Sequence, residues 1–437
     1  MRFREVLLVI VLLVAGVIIY QAQTGKWDLN FGWEDNVFGW GKEYGYEESM
    51  TIEAPLPAAL EITNSHGWVE VRGGDQETVQ LTFKKRVWLK EETGAREIAD
   101  KLHYKLDRTA DRLTLSTNRD AFTKRNFETG FVLTVPRRMT VKVTNSYGQV
   151  KVESVKEADV RNRHGQVSVS EIDGPCRLES SYEAIEARDL KAGCEVVNKH
   201  ADVGVYMVAG DVRVEAPYCQ VRIEDAGGKA EVTGGHSAVE ARRVQGPVSV
   251  ESSYEDISLS ETGGVRVRAR HAAVEASDIR GDLDVQTTYE PVKARNVSGS
   301  FEVSGNNVQV TADGIGGRQI SVTTTHEGVE LSGFSAELKV FVRHGNVILR
   351  PNAFGFPLDV RCEYSNIDLY WPAGEAAPLE AQSRGGNVSW GLPGKPSLEK
   401  SNGTSVVKAF VENAGRPGVT LSTTYGDIRI EEKNGKI

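Results

Sequence analysis

Seven of the eight histidines fall in one column of an internal repeat, and tyrosines fill the copies between them. The column runs His164, Tyr182, His200, Tyr218, His236, Tyr254, His271 and Tyr289. It begins earlier, at His66 and Tyr147, and continues through Asn307, His326, His344, Tyr364 and Tyr425. A line of imidazoles is a candidate for binding metal, haem or an anionic glycan. Geometry weighs against metal. If successive copies stack as strands, alternate histidines lie about 9.6 Å apart, whereas nitrogens sharing a zinc ion each sit about 2.1 Å from it. Only His326 and His344 would be neighbours. The blander reading is a corner ladder in which flat rings stack and tyrosine hydroxyls donate to imidazole nitrogens. Asn64, Asn145, Asn162, Ser180, Asn198, Ser252 and Thr287 stand two residues earlier and form a companion polar column. Neither a cofactor nor a metal is expected.

Charge keeps the same beat. Arg163, Lys199, Arg270 and Arg343 precede histidines, while Glu183, Glu255 and Glu290 follow tyrosines, so neighbouring copies are expected to pair opposite signs. Such exposed pairs contribute only about 0–1 kcal/mol each. Cys176 and Cys194 share a column on adjacent copies. Strand stacking would bring their Cα atoms within about 5 Å, which a disulfide tolerates; two small core thiols are the alternative. Cys219 and Cys362 fall in other columns and are expected to be unpaired.

Signals for catalysis are thin. Acidic residues are scattered, and Asp202, Asp256 and Asp427 share a column but lie copies apart. No Gly-x-Ser-x-Gly, His-Glu-x-x-His or P-loop pattern occurs. The chain is therefore read as a non-enzyme.

The elements that must position this column follow from the repeat, whose step is about 18 residues. Three residues after the ring comes Val or Ile, as at Val167, Ile185, Val203 and Val221. Four before it stands another aliphatic, as at Val160, Leu178, Val196 and Val214. Polar residues alternate with these, the period-two pattern of strands with one buried face. Gly174, Gly193, Gly210, Gly228, Gly246, Gly264, Gly281 and Gly299 recur before the next strand, where a turn needs positive φ or close packing. One such unit cannot bury its apolar face alone, so the copies must stack. Propeller blades need about 40–45 residues, which leaves an all-β parallel β-solenoid over residues 141–392.

The flanks differ in texture. Residues 50–140 break the repeat with alternating strands and a charged stretch in which Ile98, Leu102 and Leu106 recur every fourth residue, suggesting one short helix. They are read as a small α+β cap. Prolines interrupt the far end, and residues 393–437 are read as closing strands. At the start, Arg2 and Arg4 precede an uncharged apolar run from Val6 to Tyr20, with no small-x-small cleavage site after it. Residues 1–24 are read as an uncleaved signal anchor, a transmembrane helix with the remainder outside the cytoplasm, with a cleaved secretory signal as the alternative. Residues 25–49, rich in Gly and aromatics, are read as a tether. A net charge of -9 argues against nucleic acid as a partner.

Four stretches carry a family resemblance: Ile62-Thr-Asn-Ser-His-Gly-Trp-Val-Glu-Val71, Val79-Gln-Leu81, Val132-Leu-Thr-Val-Pro136 and Val141-Lys-Val-Thr-Asn-Ser-Tyr-Gly-Gln-Val-Lys-Val152. Together the chain from about residue 50 to 430 resembles the bacterial putative-adhesin domain, a domain of unknown function. The resemblance implies a capped β-solenoid carried on envelope or membrane proteins, with no established catalytic residues. Here His or Tyr stands before the turn, where family members commonly carry smaller residues. The expected role is an adhesin-like binding module for an envelope glycan or a protein partner. A structural spacer or envelope-stress sensing domain is the alternative, and a glycan-active β-helix enzyme is a second alternative.

Overall fold

The computed structural model describes residues 41–122, 126–413 and 415–432. The expected anchor at 1–24 lies outside them, as does the tether as far as residue 40. Among the described residues, no helix is long and apolar enough to cross a membrane.

From Thr140 to Trp371 the chain winds through about 13 turns of a parallel β-solenoid. Each turn supplies a leading strand, such as Cys176–Glu179, and a trailing strand, such as Ile185–Leu190. Leading strands pair in register with leading strands, Val160 with Leu178 and Leu178 with Val196. Trailing strands do the same, Val167 with Ile185 and Ile185 with Val203. Alternate residues point inward, so both aliphatic columns are buried in one continuous core of small and branched side chains. Stacking like on like suits β-branched residues, which pack well on a pleated surface.

Two backbone devices turn the corners. Near the end of most trailing strands one residue adopts positive φ, including Glu171, Asp189, Asp225, Asp278 and Asn296. The kink lets a further aliphatic, such as Ile172 or Leu190, enter the core. The recurrent glycines before the leading strands serve close packing instead. A Cβ on Gly246 would lie 2.6 Å from the carbonyl oxygen of Gly228, and one on Gly299 would lie 2.4 Å from the carbonyl carbon of Gly281.

The near end is an α+β cap. Strand Lys42–Ile52 pairs antiparallel with Val79–Leu89, which pairs antiparallel with Phe127–Pro136. That third strand runs parallel to Val69–Gly74 of the first rung and so joins the cap sheet to the solenoid. Residues 42–49, expected in the tether, are therefore part of an edge strand. The helix spans Glu92–Ala99 and packs Ala95 and Ala99 with Val87, Leu102 and Phe127. It is shorter than the Ile98–Leu102–Leu106 spacing suggested, because Leu106 lies on strand Tyr104–Arg108.

The far end is not laid down in chain order. Strands Val419–Thr423 and Ile428–Glu432 form a complete rung inserted between two earlier ones. On one side they pair with Leu358–Cys362 and Ile367–Trp371, on the other with Leu379–Arg384 and Val388–Gly391. The hairpin Ser397–Ser401 and Thr404–Ala409 then covers the edge of Leu379–Arg384.

Candidate functional site

The corner between leading and trailing strands carries the His/Tyr column, and buried polar groups hold it in place. The companion column is buried. Asn162 Nδ2 donates to the carbonyls of Gly148 and Gly165, both at 2.8 Å. Asn198 Nδ2 donates to Glu183 and Ala201, at 3.1 and 2.8 Å. Where the side chain shortens, the hydroxyls of Ser252 and Thr287 donate to single carbonyls of the previous corner, Ser237 at 2.7 Å and Ala272 at 2.9 Å. Ala216 has no such group, and Ser237 of the next rung substitutes by donating to its carbonyl. These links use buried polar atoms to satisfy turns that would otherwise leave backbone groups unpaired, whereas the buried Ser180 hydroxyl of the same column makes no such bond. Gly148 fits because its φ is +104° and a Cβ would lie 2.1 Å from the Gly67 oxygen.

On this scaffold the rings form a continuous stack. Ten rings from His66 to Tyr289 follow one another with centroids 4.5–6.0 Å apart and planes inclined by 1–23°. Asn307 interrupts the column and meets His326 Nδ1 through its Oδ1 at 2.8 Å. A second run joins His326, His344, Tyr364 and Tyr425. Offset stacking of this kind adds about 0.5–1.5 kcal/mol per aromatic pair beyond area burial.

The expectation of hydroxyl-to-imidazole bonds is not met. Among the described residues from Tyr147 onward, no hydrogen bond joins a tyrosine hydroxyl to a neighbouring imidazole, because flat stacking holds the polar edges side by side instead of aiming one at another. The edges face solvent: Tyr182 is 50% exposed, Tyr218 59%, Tyr254 56% and Tyr289 57%. Tyr218, Tyr254, His271 and Tyr289 also adopt positive φ, between 53° and 70°. That conformation favours Gly or Asn and disfavours bulky side chains.

The expected charge pairing fails beside the ten-ring run. Arg343 does meet Glu363 at 3.0 Å on the next rung. Arg163, Lys199 and Arg270 are exposed, and among the described residues none of them forms an ion pair. Elsewhere on the surface such pairs are common, for example Arg222 with Glu240 at 2.9 Å. The difference has a geometric source. Paired residues lie directly opposite on adjacent strands, whereas the bases precede the ring and the acids follow it, on opposite flanks of the corner.

Cys176 and Cys194 face each other in register as expected, buried and unbonded. The hydrogen bond with Cys194, followed by burial, pushes the Cys176 thiol well above its ordinary range. Burial pushes Cys362 up to about 12. Both effects suppress the thiolate that reacts. Among the described residues no cluster of three His, Cys, Asp or Glu side chains could hold a metal ion.

A second surface feature was not signalled by motif: an open groove along the other corner, lined by Asp189, Lys191, Met207, Asp225, Arg243 and Gln245. Its Arg243 is engaged by Asp225 at 2.6 and 3.0 Å. The His/Tyr stripe, with its unpaired flanking bases, is the stronger candidate.

No family model matches the chain, so the adhesin-domain resemblance rests on the strands quoted above. No curated protein matches it either. Among solved structures, a putative cell adhesion protein from Clostridium sporogenes matches at a TM-score of 0.19 and 9% identity, over 89% of this chain and 100% of that one.

Proposed function

We propose that the chain is a membrane-anchored, extracytoplasmic binding module without enzymatic activity, whose exposed His/Tyr stripe engages an envelope glycan or envelope protein. One observation carries the reading: ten stacked rings line one corner, and the edges of Tyr147, Tyr182, Tyr218, Tyr254 and Tyr289 stand in water. Stability alone gives a weak account of aromatic side chains at positive φ, since Asn307 occupies the same column at φ 58°. Unpaired bases beside the stripe add groups that a ligand would satisfy. The anchoring part of the proposal rests on the basic and apolar pattern of residues 1–24.

The test is an array of glycans, peptidoglycan fragments and envelope proteins. It is probed with the full chain and with a variant carrying His164→Asn, His200→Asn, His236→Asn and His271→Asn. Asparagine is chosen because this column already accepts it. Binding by the parent and loss in a variant with unchanged β-type circular dichroism is the expected result. Equal binding by both would remove the stripe from the function. Absence of binding by either would favour the spacer or sensing role.

A further inference from the structure

The stripe narrows the ligand class. Its ring faces are closed by neighbouring rings, so the usual platform for stacking a sugar or a proline is missing along the run. What remains is a file of hydroxyl and imidazole edges, suited to a ligand rich in hydrogen-bonding groups.

The edge chemistry repeats every two rungs, about 9.6 Å. A ligand satisfying each repeat alike must itself be a polymer of similar period, laid along the rod. A polypeptide strand repeats its side-chain pattern every two residues, about 6.8 Å, and drifts out of step at once. A polyproline helix repeats at about 9.3 Å but is ordinarily held on aromatic faces. An extended β-1,4-linked glycan turns over at each sugar, so equivalent groups recur per disaccharide at a step close to two rungs.

The flanks refine this further. Arg163, Lys199 and Arg270 precede three of the five histidines of the run and all lie on the same flank, while Ser65 and Gly235 precede the other two. Glu183, Glu255 and Glu290 occupy the other. Immediately beside the rings, a carboxylate once per disaccharide would meet bases on the first flank and acids on the second, while Glu179, Glu215 and Glu251 lie further out on the first.

Resting on the binding role above, we infer that the stripe holds a linear β-1,4-linked glycan with one carboxylated sugar in each disaccharide, aligned with the solenoid axis. The run of ten rings spans five such repeats.

Calorimetric titration of the full chain tests this with alternating N-acetylglucosamine–N-acetylmuramic acid oligomers of one to five disaccharides. Chitin oligomers of equal length provide the same backbone without the carboxylate. Affinity is expected to rise with each added disaccharide. The acidic series should bind about tenfold tighter than chitin, an advantage erased by Arg163→Gln, Lys199→Gln and Arg270→Gln together. These exposed substitutions keep the rings, and circular dichroism verifies the fold. Equal affinity for one and five disaccharides would overturn the axial alignment. Equal affinity for chitin would overturn the carboxylate. Binding of an envelope protein through the stripe, with no glycan bound, would overturn the inference and leave the binding role standing. Binding of nothing would overturn both.

Discussion

The rings of His164 and Tyr182 stack with centroids 4.5 Å apart and planes inclined by 1°, although neither hydrogen-bonds the other. Their alignment is imposed from beneath, by the buried Asn162 and the in-register strands. Aromatic identity at the surface and backbone shape at the corner are therefore separable by substitution.

Tyr254 and Tyr182 provide the contrast. Tyr254 sits at φ 70°, whereas Tyr182 has no positive φ. Removing the ring costs similar stacking at both. Relieving the left-handed backbone favours Gly at Tyr254 by about 1–2 kcal/mol, less about 0.5–1 kcal/mol for its freedom in the unfolded chain. Tyr254→Gly should thus be more stable than Tyr254→Ala, while Tyr182→Gly should be less stable than Tyr182→Ala. Urea midpoints of the four variants check the reversal, and the same order at both sites would refute it.

Asn162→Ala removes the donor to two half-buried carbonyls and the acceptor for the Arg163 amide at 3.0 Å. The expected loss is about 2–4 kcal/mol, because the stranded groups forfeit water as well as their partner. A change below about 1 kcal/mol in urea denaturation would show that the corner does not depend on this bond.

Arg268 holds Asp284 with two bonds, at 2.9 and 2.7 Å. The guanidinium keeps the Asp284 carboxyl below its usual range, against a smaller opposing effect of burial. A depressed folded-state value stabilises above the unfolded value of about 3.9 and is lost as pH falls through the folded one. Asp284→Asn should cost about 1 kcal/mol or less at neutral pH. That deficit should shrink as pH drops below 4. A deficit unchanged down to pH 2 would contradict the assignment.

The inserted rung makes the far end depend on the last strands. Leu421, Ile428 and Ile430 are fully buried between rungs that precede them in the chain. A chain ending at residue 413 should expose residues 372–413 to limited proteolysis while the rungs up to residue 371 stay protected, since each rung is stabilised by its neighbours. Protection of 379–409 in that truncation would show that the end closes without the final rung.

The repeat made the solenoid legible because identical columns at a fixed step have one economical arrangement, and Val167, Ile185 and Val203 stack as their spacing implied. The companion column of Asn162 and Asn198 was also legible, two residues before each ring. The inserted rung was not, since Ile428 carries the pattern of any rung and nothing local names its neighbours. Leu106 misled because a four-residue step satisfies a strand and nearly satisfies a helix. Charge pairing at Arg163 failed because the base precedes the corner and the acid follows it, and a one-dimensional pattern does not state how far the corner separates its two flanks. Exposure of the rings likewise depended on the corner's shape, which no column of residue types states.

Hydroxyl-radical footprinting of the full chain, with and without peptide-free strands of alternating N-acetylglucosamine and N-acetylmuramic acid, tests the central claim most directly. Tyr182, Tyr218 and Tyr254 should lose labelling together on binding. Tyr206 and Tyr370, which lie off the stripe beneath Arg188 and Arg350, should not change. Unchanged labelling of the three stripe tyrosines, or protection confined to Tyr206 and Tyr370, would contradict the stripe as the binding face.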